Sequence, residues 1–205
     1  MAKRKKENIE RRNVPVSELR AITDDAGLRK ITGYAAVFNS LSEDLGWFRE
    51  KIEPGAFRDS IVADDIRALW NHDSNFVLGR NTSGSLSLSE DDRGLKIEIN
   101  PPDSQWARDL MTSIDRGDID KMSFGFRTIS DRWETRDKEE IRTLEKVQLF
   151  DISPVTFPAY ADTEVGLRSL EEHRKTNTPE DDPGGNFSNV LLAEEDNVYQ
   201  MVIGL

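Results

Sequence analysis

Residues 121–126, Lys-Met-Ser-Phe-Gly-Phe, alternate strictly between large apolar and small or polar side chains, and this period of two predicts a β-strand. One face would carry three bulky core side chains: Met122, Phe124 and Phe126. The other face would carry Ser123 beside Gly125, a small hydroxyl next to a position without a side chain. Such a face can seat a nucleophile and leave room for a substrate backbone, although a serine on the exposed face of an ordinary strand is the commoner case.

Short segments of the same kind recur along the chain between turn-rich stretches. Further strands are predicted at residues 30–38, 47–52, 66–70, 77–80, 84–88, 95–99 and 141–155, and a charged turn at 136–140. One convincing helix is predicted between a cap at Asp103 or Ser104 and a stop at Gly117. Its apolar stripe would comprise Trp106, Leu110, Met111 and Ile114. Many short strands around one helix favour a sheet-rich barrel or sandwich.

Length and composition bound the class of protein. A chain of 205 residues is expected to form one main domain with length left for tails. A net charge of −11 argues against a protein that lives on nucleic acid. The absence of cysteine excludes disulfides, thiolate metal sites and a cysteine nucleophile. No apolar run is long enough to span a bilayer, so we expect a soluble intracellular protein without a membrane partner.

The two ends of the chain differ in charge. We expect a basic leader of low order over residues 1–28, a folded domain over 29–170, and an acidic linker and tail over 171–205. Residues 1–12 contain six Lys or Arg, and residues 176–205 contain none. Such ends are typical of interaction arms, and solvated termini without a partner are the alternative.

Only two histidines are present, His72 and His173. His173 lies in a highly charged stretch that is typical of solvated surface. His72 follows an apolar strand, where a histidine held by local hydrogen bonds is the plain interpretation. If the chain uses a serine nucleophile, His72 is the one serious candidate for the base, because imidazole titrates near neutral pH without a large shift.

A third group would have to orient the imidazole. Asp151 stands in an otherwise apolar strand, where a carboxylate needs a partner. That partner could be His72, or in a purely structural role an arginine such as Arg127. Glu145 and Asp73 are the alternative acids.

Metal-dependent hydrolysis is the competing chemistry. One histidine with scattered carboxylates does not make a zinc site, and no cofactor is indicated. A magnesium site built from carboxylates alone stays open, and no glycine-rich phosphate loop is present.

Several short motifs together resemble the prohead proteases of tailed phages. They are TGYAAVFN (32–39), EPGAF (53–57), LWNHD (69–73), LGR (78–80), KMSFGF (121–126), LFDISPV (149–155) and PA (158–159). The resemblance extends from about residue 31 to residue 168 and leaves both ends outside.

This resemblance implies an α+β fold like the herpesvirus capsid maturation protease, a mainly antiparallel β-barrel flanked by helices. It implies a serine endopeptidase that acts in the host cytoplasm inside the assembling procapsid, cleaves scaffold or capsid-protein delta segments, and then degrades itself. His72 and Ser123 match the base and the nucleophile of the family. Asp151 takes the third place, where many relatives carry Glu. A homo-oligomer stays open.

The sequence therefore predicts peptide-bond hydrolysis by Ser123, His72 and Asp151, with an oxyanion hole formed by backbone N–H groups or by Arg80 or Arg127. One rival is an inactive assembly or scaffold module with the same fold. The other is a metal-dependent hydrolase.

Overall fold

The computed structural model describes residues 9–14, 18–23, 28–45 and 47–157, together with residues 170 and 173. The chain divides into two compact units, residues 1–169 and residues 170–205. In the second unit only residues 170 and 173 are described, and both are helical. The acidic linker and tail expected over 171–205 thus lie outside the described residues, apart from His173.

Strands dominate the described part of the first unit. They are β1 (Glu10–Val14), β2 (Arg20–Thr23), β3 (Arg29–Val37), β4 (Phe48–Ile52), β5 (Arg67–Trp70), β6 (Asp73–Arg80), β7 (Leu86–Glu90), β8 (Gly94–Ile99), β9 (Lys121–Arg136) and β10 (Glu139–Val155), and the helices are α1 (Arg58–Ala63) and α2 (Gln105–Asp115). β1 pairs with β9, and β2 pairs with β3. Both strands lie within residues 1–28, so the expectation of low order is wrong for them.

The strands form two sheets. A six-stranded sheet has the order β1-β9-β10-β5-β6, with β4 also paired to β10, and a four-stranded sheet has the order β2-β3-β8-β7. β10 is antiparallel to β9 along one edge and parallel to β4 and β5 along the other. The larger sheet is therefore mixed.

The predictions of a strand-rich α+β fold and of mainly antiparallel pairing are confirmed, but the prediction of a closed barrel is wrong for the described residues. The larger sheet ends at β1 and β6 and the smaller at β2 and β7, so neither closes on itself. Period-two alternation reports which faces of a strand are buried, and it carries no information on partners or strand direction. The parallel pairs of β10 could not be seen in it.

The hairpin of β9 and β10 is the longest feature of the fold, with strands of 16 and 17 residues. Its tip is the charged turn predicted at 136–140, where Arg136 pairs with Glu139. The two residues between them, Asp137 and Lys138, have φ values of 52° and 70°. Two successive residues with positive φ are typical of the tight turn that matches the twist of a hairpin.

A single apolar core includes residues of both sheets and of α2. Met122, Phe124 and Phe126 of β9 are completely buried, as the alternation predicts. α2 turns four side chains into this core: Ala107, Leu110, Met111 and Ile114. This packing fixes one face of β9, so the register of its opposite face is fixed as well.

A buried ionic cluster attaches β1 to the larger sheet. It consists of Glu10 and Arg12 from β1, Glu50 from β4 and Arg142 from β10, all no more than 6% exposed. Arg12 Nε donates to Glu50 Oε1 at 2.9 Å, and Arg142 Nη1 donates to Glu10 Oε2 at 2.7 Å. Burial works to raise the pKa of Glu10, but Arg142 and Arg12 hold that pKa below its ordinary value. The cluster is thus balanced in charge, and half of it belongs to β1.

Candidate active site

His72 lies in the tight turn between β5 and β6. Trp70 pairs with Asp73 across the turn, which leaves Asn71 and His72 as its two central residues. Their φ values are 54° and 57°, the left-handed pair that a two-residue hairpin turn requires. Asparagine and histidine are among the few residues other than glycine that are enriched in this region. The local sequence therefore suits a turn that projects an imidazole from the end of β5.

The turn is docked onto the end of β10. The N–H of Asn71 donates to the carbonyl of Pro154 at 3.0 Å. The Asn71 side chain accepts from the N–H of Thr156 at 2.9 Å and donates to its hydroxyl at 3.3 Å. These contacts hold His72 over the strand that carries Asp151.

Ser123 lies on β9, on the face opposite the core phenylalanines. It is completely buried, and its Oγ lies 2.7 Å from His72 Nε2. β1 runs along the other edge of β9, with Asn13 directly opposite Ser123. Both edges of the strand at Ser123 are therefore paired, with β1 on one side and β10 on the other.

A β-bulge brings Asp151 to the same face. Leu149 pairs with Phe126, but Asp151, two residues on, pairs with the adjacent Gly125. The register shift makes Phe150 the extra residue of a bulge. Without it, Asp151 would share the core-facing side of β10 with Leu149, because side chains alternate.

Gly125 makes room for the Asp151 carboxylate. A Cβ atom at position 125 would lie only 2.5 Å from Asp151 Oδ2. The space beside Gly125 is therefore filled by the acid, and our expectation that it receives a substrate backbone is wrong. Glycine is required here because the carboxylate approaches the bare backbone.

The three side chains form a continuous hydrogen-bonded chain. His72 Nδ1 lies 2.5 Å from Asp151 Oδ1, and the two side chains are only 7% and 14% exposed. Since an ionised carboxylate can only accept, Nδ1 carries the proton and Nε2 is left to accept from the Ser123 hydroxyl. This order of donors and acceptors is the one that removes a proton from a serine as it attacks an electrophile.

The alternative acids lie elsewhere. Glu145 accepts from Ser130 and Arg132, and Asp73 accepts from the main chain and side chain of Asn75. Arg127, which we considered as a structural partner of Asp151, donates to Gln148 instead. Of the acids named from the sequence, the structure brings Asp151 to His72.

The two arginines considered for the oxyanion hole are also engaged. Arg80 donates two hydrogen bonds of 2.6 Å to Asp65 and lowers the pKa of that carboxyl to about 2. Arg127 is held by Gln148. Both are exposed, and each guanidinium is oriented by its own partner.

Sequence reasoning missed one participant, Ser153. Its Oγ donates to Asp151 Oδ1 at 3.1 Å and accepts from the N–H of His72 at 3.2 Å. The signal in the sequence is a polar residue two places after the acid in an apolar strand, but its partners become evident only when the β5–β6 turn is docked.

No cluster of three or more potential metal ligands was found among the described residues. Within the same residues, no helix is long and apolar enough to cross a membrane.

Comparison with known proteins identifies one family. The model of the family described as caudovirus prohead serine protease matches residues 16–176 of the 205. The match covers β2 to β10 and all three residues of the hydrogen-bonded chain. No curated protein and no solved structure matches significantly.

Proposed function

Since the chain belongs to the caudovirus prohead serine protease family, we propose that it is a serine endopeptidase in which Ser123 is the nucleophile, His72 the general base and Asp151 the group that orients the base. Membership implies serine peptidase activity in the prohead. The assignment of the three residues rests on one observation, the hydrogen-bonded chain from Ser123 through His72 to Asp151.

The proposed reaction proceeds by acyl transfer. Ser123 Oγ attacks the carbonyl carbon of the scissile peptide while His72 Nε2 takes the hydroxyl proton. Asp151 stabilises the resulting imidazolium through Nδ1. His72 then passes the proton to the leaving amine, and the peptide C–N bond breaks. A water molecule then attacks the acyl carbon while His72 Nε2 takes its proton, and His72 returns that proton to Ser123 Oγ as the ester C–O bond breaks and the acid product leaves.

Main-chain N–H groups are our choice for the oxyanion hole. Arg80 and Arg127 are each bound by a partner outside the triad, so neither is poised to receive a developing negative charge. Preorganised donors of this kind contribute about 10²–10³ in rate.

The substrates we propose are delta segments of the capsid protein or a scaffold protein, cleaved inside the procapsid in the host cytoplasm. The family name supports a substrate in the prohead, and the choice between these proteins is an inference from the family resemblance. We also propose that the enzyme cleaves itself near its ends. Because β1 is fixed by the buried ionic cluster, we expect trimming at the amino end to stop before residue 9.

Labelling with a fluorophosphonate probe tests the assignment without a known peptide substrate. The Ser123 Oγ–P bond forms, the P–F bond breaks, fluoride leaves, and the proton passes to His72. Ser123→Ala should abolish labelling and His72→Ala should nearly do so. Ser87→Ala, which alters an exposed strand serine in the other sheet, is the matched control and should label normally.

Co-expression with the cognate capsid protein completes the test. Ser123→Ala should leave the capsid protein uncleaved, whereas an inactive assembly module would mature capsids equally well with or without this hydroxyl. Persistent labelling of Ser123→Ala would refute the proposed nucleophile. Inhibition by a chelator without any labelling would favour the metal-dependent alternative.

A further inference from the structure

We propose that Ser153 is a positioning residue that joins the turn carrying His72 to the acid that orients it. The inference rests on the proposed function and adds a fourth side chain to the three residues assigned above. Ser153 is completely buried, although serine is mostly an exposed residue in proteins. A buried hydroxyl must find partners, and those of Ser153 both belong to the site.

The Ser153 hydroxyl makes two hydrogen bonds, one as a donor and one as an acceptor. A hydroxyl has one proton to donate and lone pairs to accept with. Ser153 gives its proton to Asp151 Oδ1 at 3.1 Å and accepts the main-chain N–H of His72 at 3.2 Å. The same Oγ lies 3.4 Å from His72 Nδ1. One atom thus contacts the acid, the backbone of the base and the edge of its ring.

The turn needs such a contact. Asn71 and His72 both occupy the left-handed region, which costs a residue with a side chain about 1–2 kcal/mol. The contacts from Asn71 to Pro154 and Thr156 hold the first residue of the turn. Within the described part of the chain, the hydrogen bond to Ser153 holds the main-chain N–H of His72 itself.

The position of Ser153 follows from the same bulge that exposes Asp151 to the site. After the shift at Phe150, Asp151 pairs with Gly125 and Ser153 pairs with Ser123. The acid, the positioning hydroxyl and the nucleophile therefore share one face of the sheet. A single register shift in β10 places both Asp151 and Ser153 correctly relative to His72.

Ser60 offers a matched control. It is also buried, at 3% exposure, and its hydroxyl also joins a main-chain N–H, that of Leu149 at 2.8 Å, to a carboxylate, that of Asp64 at 2.6 Å. Removing either hydroxyl leaves a main-chain N–H and a carboxylate, both at least partly buried, short of one partner, so the losses of stability should be similar. Only Ser153→Ala should alter the reactivity of Ser123.

The first measurement is the second-order rate constant of fluorophosphonate labelling. We expect Ser153→Ala to lower this rate constant about 10- to 100-fold, the loss typical of removing a hydrogen bond that orients a functional side chain without contacting the substrate. Ser60→Ala should label at the wild-type rate. If Ser153→Ala does not fold, Ser153→Cys keeps the shape of the side chain with a somewhat larger atom and a weaker donor, and it should show a smaller loss.

The second measurement observes the imidazole directly. His173→Gln leaves His72 as the single histidine of the chain, so ¹⁵N-histidine spectra report on one ring. The Nδ1–H signal should lie downfield because of the short contact with Asp151, and Ser153→Ala should move it upfield and broaden it. Ser60→Ala should leave it in place.

Two results would overturn the inference. One is a folded Ser153→Ala or Ser153→Cys protein that labels at the wild-type rate, and the other is an unchanged Nδ1–H signal. Both outcomes leave the proposed function intact, because that function stands or falls on Ser123→Ala.

Discussion

Replacing Gly125 with alanine should lower the activity strongly while lowering the stability only slightly. The added Cβ would lie 2.5 Å from Asp151 Oδ2 and 3.3 Å from its Cγ. Since ordinary contacts begin near 3.4 Å, the carboxylate must retreat by about 1 Å. The φ angle of Gly125 is not in the left-handed region, so the backbone itself accepts alanine.

The displacement of the carboxylate determines how large the losses of stability and activity should be. The obstructing atom is the end of a short side chain, so the cost in stability should stay at or below about 1 kcal/mol, less than for overpacking against backbone. The activity should suffer more, because Asp151 can move only by giving up its 2.5 Å contact with His72. A displacement of about 1 Å in a catalytic group costs on the order of 100-fold in rate.

Gly79→Ala is the control, because we expect it to lower stability and not activity. Its Cβ would lie 2.7 Å from the main-chain carbonyl of Ser85, which cannot rotate away. We therefore expect Gly79→Ala to lose about 1–3 kcal/mol of stability and to keep its labelling rate once folded. Urea unfolding measures the stability of both variants, and fluorophosphonate labelling measures their activity. Wild-type labelling of folded Gly125→Ala would refute the reasoning that Gly125 exists to admit the acid.

Three further outcomes are expected. Glu10→Gln should destabilise the protein by about 3–5 kcal/mol above pH 5, because Arg142 and Arg12 lose a buried countercharge. The pKa of Glu10 in the folded protein is lowered, so the stability that its charge contributes is present above the ordinary value of 4.5 and is lost as the pH falls through the folded pKa. Urea unfolding from pH 3 to 7 should therefore show the difference in unfolding free energy between the variant and the wild type becoming smaller at the acid end. Asn71→Gly should lower the labelling rate less than Asn71→Ala, since both lose the side-chain contacts to Thr156 but only alanine also resists a φ of 54°, and equal rates would contradict the role of the turn. Removal of residues 1–8 should leave a folded, active enzyme, whereas removal of residues 1–14 should not. An intact mass of purified active enzyme that shows the loss of β1 would contradict this.

The sequence was informative where a single side chain or a local period carries the signal. Strict alternation sets Ser123 opposite three core residues, and His72 stands out because the chain has only one other histidine. Asp151 stands out because an acid in an apolar strand needs a partner. Each of these inferences depends on neighbours within a few residues.

The rest depends on partners that are distant along the chain. The bulge at Phe150 is invisible in the sequence, yet it decides which face Asp151 occupies. Charged residues such as Glu10 and Arg12 favour a low-order leader in the sequence, but in the structure they belong to β1. Their burial is made favourable by Glu50 and Arg142, which are 38 and more residues away. The parallel pairing of β10 with β4 and β5 is likewise a tertiary choice that no local pattern encodes.

The wide spacing of the three site residues along the chain bears on when the enzyme becomes competent. His72 is 51 residues from Ser123 and 79 residues from Asp151. Contacts of such high sequence separation form late, because the entropy of closing long loops must be overcome first, and parallel pairs such as β5 with β10 cannot begin as hairpins. Under the assignment proposed above, a nascent or half-folded chain holds a serine without a base, and activity would be coupled to completion of the sheet. The proposed substrates could then be synthesised alongside this chain without exposure to an active enzyme during translation.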